Sequence, residues 1–142
     1  MLRSDTAVGR FIAEFARNNQ EGDVAATAAQ FADPFLSASP AGTQCVRVAD
    51  FAAALPKRKE LFDKLQCLPT ELVDAEETRL DERYVLVRTK WRMTFARKSG
   101  PVELVVESTL LVDTGADECR VAMYMAHQDI MQVMRERGIL EG

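Results

Sequence analysis

The sequence predicts an α+β fold in which helices come first and a bent antiparallel sheet second. Three observations carry this. Apolar residues recur at helical spacing through the first half, and the period falls to two from Leu68 onward. The strands that follow are joined by short turns, the pattern of an antiparallel meander.

Each element has its own justification. Val8, Phe11, Ile12, Phe15 and Ala16 share one face of a first helix, which Ser4 or Asp5 caps and Asn18-Asn19 with Gly22 closes. Asp23 caps a second helix with Val24, Ala28, Phe31 and Ala32 on one face. Pro34 stops it, since proline has no N–H and disfavours helix at the residue before it. Residues 43–48 alternate enough for a small strand. Asp50 caps a third helix through Leu61, Phe62 and Leu65, with a kink or fresh start at Pro56 and a supportive Glu60–Lys64 pair.

Four strands then follow in "ELVDAEETRL", "RYVLVRTKWRMTFARK", "VELVVESTLLVD" and "CRVAMYMAH". Asp81-Glu82, Ser99-Gly100-Pro101 and residues 114–117 make the turns. In the longest strand Val85, Val87, Thr89, Trp91, Met93 and Phe95 fall on one face, and Tyr84, Arg88, Lys90 and Arg92 on the other. Arg88, Lys90 and Arg92 match Glu71, Glu76, Glu77, Glu103 and Glu107 as cross-strand charge partners. Asp129 caps a last short helix that Gly138 ends. No repeat, linker or low-complexity run interrupts residues 1–142, so a single domain is expected.

Composition excludes several function classes. A net charge of −4 gives no electrostatic reason to expect nucleic acid or an anionic membrane as partner. No window approaches the roughly 20 apolar residues of a membrane span. The N-terminus lacks the apolar core of a signal peptide, and Cys45, Cys67 and Cys119 are odd in number with no CxxC. These cysteines read as small buried hydrophobes in a reducing, cytoplasmic compartment. One histidine and three scattered cysteines give no metal-ligand spacing, and no Gly-rich phosphate loop exists, so neither metal nor cofactor is expected.

The order of elements, together with "EGDVAATAAQFADPFLSASPAG", "RYVLVRTKWRMTF" and "CRVAMYMAHQD", resembles the nuclear transport factor two-like, or cystatin-like cone, superfamily. That superfamily includes ketosteroid isomerases and SnoaL-like polyketide cyclases as well as non-catalytic transport and assembly domains. The resemblance implies three N-terminal helices closing a cone-shaped sheet around an internal pocket. In ketosteroid isomerase-like members a carboxylate just before the Pro-x-Gly of the bend abstracts the proton. Here that position is Ser39, before Pro40-Ala41-Gly42, and a serine takes no proton from carbon without a second base.

Candidate site residues follow. An unperturbed imidazole titrates at about 6.5, so the lone His127 is a weak acid–base candidate beside Tyr124 and Ser39. Phe15, Phe31, Phe35, Trp91 and Met93 are expected to line an apolar pocket, with Tyr124 or His127 near its mouth. Leu104, Val106 and Leu110 alternate with Val105 and Leu111, so both faces of that strand are apolar. A homodimer would cover the second face, and a terminal helix carrying Met131 and Met134 is the rival cover. Two functions fit. One is a small-molecule binder, or an isomerase-, cyclase- or dehydratase-type enzyme, for an apolar oxygenated compound. The other is a non-catalytic homodimeric interaction or accessory domain.

Overall fold

The computed structural model describes residues 6–115 and 118–140; the expected caps Ser4 and Asp5 and turn residues 116–117 lie outside them. Helix α1 (Ala7–Glu21) is capped instead by Thr6, whose hydroxyl accepts from Gly9 N at 2.8 Å. Its apolar stripe Val8, Ile12, Phe15 and Ala16 is buried. Gly22 ends the helix at φ 67°, a left-handed conformation that glycine adopts without steric cost. Asp23 caps the short α2 (Val24–Ala29) through Ala26 N at 3.0 Å.

The second helix stops earlier than expected, because residues 31–46 form a hairpin. Strand β1 (Phe31–Ser39) pairs antiparallel with β2 (Gly42–Val46), and Pro40-Ala41 makes the turn between Ser39 and Gly42. Pro34 is tolerated inside β1 for a specific reason. The β1–β2 ladder begins at Phe35, and the pairing of β1 with β6 (Arg120–Ala126) skips from Phe31 to Leu36, so no ladder bond needs its missing N–H. Asp33 reaches forward to accept from Val48 N at 3.1 Å and pairs with Arg47 at 3.3 Å. It thereby caps α3 (Val48–Lys64), where Arg47 has no capping side chain and Asp50 sits in the first turn rather than at the cap. The helix continues through Pro56, and the Glu60–Lys64 pair forms at 3.4 Å.

Strands β3 (Glu71–Arg79), β4 (Tyr84–Arg97) and β5 (Gly100–Asp113) complete a six-stranded sheet of order β2-β1-β6-β5-β4-β3. Every neighbouring pair is antiparallel except β1 with β6. Alternation sorts β4 as expected, with Val85, Val87, Thr89, Trp91, Met93 and Phe95 all buried against the helices. Arg92 on the other face bridges Glu71 at 3.6 Å and Glu103 at 3.0 Å.

Helix α4 (Ile130–Glu136), capped by Asp129, buries Met134 with Met93, Phe95 and Leu104. Those are residues of the helix-covered face. The terminal helix therefore closes one end of the core and leaves the opposite sheet face bare among the described residues. Cys45 also departs from expectation. It lies exposed on the edge strand β2, whereas Cys67 and Cys119 are half-buried.

Gly22 ties these parts together, since a Cβ there would lie 2.5 Å from Lys59 Cε of α3. Gly22→Ala should lower stability by about 1–2 kcal/mol, chiefly from the left-handed backbone, seen as a lower denaturant midpoint with an unchanged m-value.

Candidate functional site

Between α3 and the covered face of the sheet lies a cavity of about 610 Å³. That is the size range of small-molecule sites, roughly 300–1,000 Å³. Its walls are aromatic. Phe15 meets Phe31, Trp91 and Tyr124 at ring separations of 5.8, 6.2 and 6.5 Å, and Phe51 packs on Phe31 at 4.6 Å and edge-on to Phe35 at 5.1 Å. Met93, Val106, Leu55 and Phe62 extend the apolar lining. Helix α3 supplies Phe51, Leu55 and Phe62 at helical spacing, yet none of its residues is fully buried. Its inward stripe borders open space rather than a filled core.

The floor is polar at one place. Trp91 Nε1 donates to Thr89 Oγ1 at 2.8 Å and to Ser108 Oγ at 3.2 Å, and the two hydroxyl oxygens are 2.6 Å apart. Thr89 also donates to the Ser108 carbonyl at 2.9 Å. All three residues are buried, and Trp91 and Ser108 line the cavity. At the other end Asn18 donates to Gln30 at 3.1 Å, tying α1 to the residue after α2. The hydroxyl of Tyr124 has no protein hydrogen-bond partner among the described residues, although the residue lines the cavity.

The structure brings Phe15, Phe31, Phe35, Trp91, Met93 and Tyr124 to one cavity. His127 is placed elsewhere. It is exposed, absent from the lining, and its Nε2 lies 2.6 Å from Thr109 Oγ1. Thr109 pairs with Met125 and Arg88, on the sheet face opposite Leu110 and Val87. Alternation explains the placement: His127 lies three positions after Tyr124, and an odd offset on an extended chain reverses the side chain. Ser39 borders the cavity, but its Oγ accepts from Ala41 N at 3.2 Å and serves the hairpin turn. Thr89 and Ser108 were not singled out from sequence. The signal was a hydroxyl residue in each apolar phase, between Val87 and Trp91 and between Val106 and Leu110.

Four carboxylates border the cavity, Glu21, Asp23, Asp63 and Glu107, and all are exposed. Asp23 caps α2, and Asp63 holds Lys59 at 3.0 Å. The aromatic interior itself presents no carboxylate among the described residues. No group of three or more histidine, cysteine or carboxylate residues is arranged to hold a metal among the described residues.

Solved structures share this architecture. An NTF2-like protein with a cystatin-like fold from Novosphingobium aromaticivorans superposes with a TM-score of 0.72 at 14% identity, covering 96% of this chain and 88% of that one. The chain has the nuclear transport factor two-like fold. A ketosteroid isomerase-like protein from Erwinia carotovora atroseptica matches this chain with a TM-score of 0.67 at 12% identity, over 91% of this chain and 98% of that one. The beta subunit of the benzoate 1,2-dioxygenase from Burkholderia mallei does so with a TM-score of 0.68 at 10% identity, over 89% and 91%. At such identities the likeness extends to the fold alone. No family model matches the sequence, and no curated protein does. Among the described residues no helix is long and apolar enough to cross a membrane.

The cavity also holds a thiol. Burial pushes the Cys67 pKa up from its ordinary value, and Asp63 adds to this against the pull of Arg58. The thiolate is the reactive form, so iodoacetamide near neutral pH should label exposed Cys45 first and Cys67 markedly later. The Cys67 rate should keep climbing above pH 9, where peptide mass mapping at timed intervals separates the sites.

Proposed function

We propose that this chain is a small-molecule-binding domain that takes up a neutral, mainly apolar, oxygen-bearing compound and works as a homodimer. The observation that carries the binding part is the open aromatic cavity beneath α3. A 17-residue helix with no fully buried side chain leaves part of its apolar stripe unpacked, and helices depend on such packing for most of their stability. A ligand that covers Phe51, Leu55 and Phe62 buries their remaining apolar surface at roughly 25 cal/mol per Å². Ligand uptake and helix docking then reinforce one another.

The same lining favours binding over proton abstraction from carbon. A general base must reach its proton and have a suitable pKa. Every bordering carboxylate is exposed at the mouth, and the bend position that resembles the isomerase base is occupied by Ser39. Ketosteroid isomerase-like and dioxygenase-subunit proteins share the fold, so both catalytic and accessory settings suit the scaffold.

The homodimer rests on the bare sheet face. Leu86, Leu111, Met123, Leu36 and Cys45 stand opposite one another in register across five adjacent strands. Leu36 is 38% exposed and Val105, also on that face, 54%. A row this long is an apolar band, and one two-fold contact between identical faces removes it from water.

Two measurements test the parts separately. A thermal-shift screen of neutral aromatic alcohols and ketones should find stabilising compounds, since a ligand at 100 times its Kd adds about 2.7 kcal/mol. Binding should change the fluorescence of Trp91; stabilisation with no fluorescence change would place the ligand elsewhere. Light scattering at micromolar concentration should give twice the 15.8 kDa chain mass. Leu111→Glu should return it to the monomer while leaving the melting of the fold cooperative, and a wild-type monomer would refute the assembly.

A further inference from the structure

We propose that Ser108 is the polar anchor of the cavity and selects ligands bearing a neutral hydroxyl or carbonyl oxygen over matched hydrocarbons and carboxylates. This rests on the binding function above and names the chemistry that the same site recognises.

The selectivity follows from counting protons. Trp91 Nε1 only donates, and it serves Thr89 Oγ1 and Ser108 Oγ together. Thr89 has one proton and two acceptors within reach, the Ser108 carbonyl at 2.9 Å and the Ser108 hydroxyl at 2.6 Å. With the proton on the carbonyl, Ser108 must donate to Thr89, and its remaining lone pair is free to accept from a ligand O–H. With the proton on Ser108 Oγ, the lone pairs of Ser108 are taken by Thr89 and Trp91, and its own O–H is free to donate to a ligand carbonyl. One hydroxyl therefore accommodates either neutral oxygen by shifting two protons within a buried network. Neither arrangement supplies net charge.

A carboxylate finds no counter-ion there. The cations bordering the cavity, Arg58 and Lys59, are exposed on α3. Arg58 lies over the Phe62 ring at 5.2 Å, and Lys59 is held by Asp63 at 3.0 Å. An anion on the floor would lose its water without gaining a charge partner. A hydrocarbon, for its part, leaves the spare valence of Ser108 unmet. Tyr124 supports the anchor. Its register partner is Leu110, so it sits diagonally from Ser108 on the same face, with Cα atoms about 7–8 Å apart. Its unpartnered hydroxyl serves the same edge of a ligand.

The test uses three probes of one shape: phenanthrene, 9-phenanthrol and phenanthrene-9-carboxylate. Each is titrated into the full chain by calorimetry, with Trp91 fluorescence in parallel. 9-Phenanthrol should bind about tenfold tighter than phenanthrene, the worth of one hydrogen bond, and the carboxylate weakest of all. Ser108→Ala should abolish the tenfold preference, bringing 9-phenanthrol and phenanthrene to equal affinity. The variant should fold, because Trp91 still donates to Thr89 and Thr89 to the carbonyl of residue 108. The wild-type affinity ratio tests the idea without any variant. Equal binding of all three probes, or an undiminished preference in Ser108→Ala, overturns the anchor while the binding function stands. Failure of every probe to bind overturns both.

Discussion

Pairing of β4 with β5 runs without a break from Tyr84 opposite Asp113 to Arg97 opposite Gly100. Most of the remaining structure takes its geometry from that ribbon. Because the side-chain period of a strand is two, an uninterrupted ladder assigns each residue to one face with no freedom to slip. Val87 and Leu110 must then point at the helices, and Leu86 and Leu111 away from them. The covered face receives α1, the cavity floor and the end cap of α4. The bare face receives the charge pairs of Arg92 and the apolar row that ends at Cys45. Two environments are thus printed on one pair of strands.

This also explains how much could be read in advance. Strands β3 to β6 and the faces of β4 were legible because alternation persists for 14 residues in β4, far longer than chance or a competing helical period allows. The stretch from Phe31 to Gly42 was not. Phe31 and Phe35 are four apart, a spacing that suits one face of a helix and one face of a strand equally well, and Pro34 between them argues against both. Only the jump in the β1–β6 register, a tertiary fact, makes room for it. The cap of α3 was hidden for the same reason. Asp33 lies 15 residues from the N–H it accepts, beyond any local capping signal.

The site divides along similar lines. Its aromatic walls were legible, since large apolar residues in the inward phase must meet something. Its polar floor depends on two hydroxyls from different strands meeting across a ladder, at Thr89 opposite Ser108. Each alone is an unremarkable residue in an apolar phase. His127 shows how little a residue type says about its face. A lone histidine at a strand end invites a chemical role, while parity alone assigns it to the other face.

Separation of faces has a consequence for how binding and assembly relate. Ser108 and Thr109 are adjacent in sequence, yet one faces the cavity and the other accepts or donates toward His127 on the bare face. Likewise Tyr124 lines the cavity and Met123 and Met125 do not. Two surfaces built on the same residues of β5 and β6 share one backbone, so any contact that fixes the bare face also fixes the spacing of Ser108 and Tyr124. A rigid floor loses less freedom when a ligand settles on it. The opposite wall is α3, which touches the cavity with its inward stripe and fully buries none of its own side chains. Such a division, a sheet whose two faces are set by register and a helix whose inward stripe borders open space, follows from where the strands place their side chains rather than from any single contact.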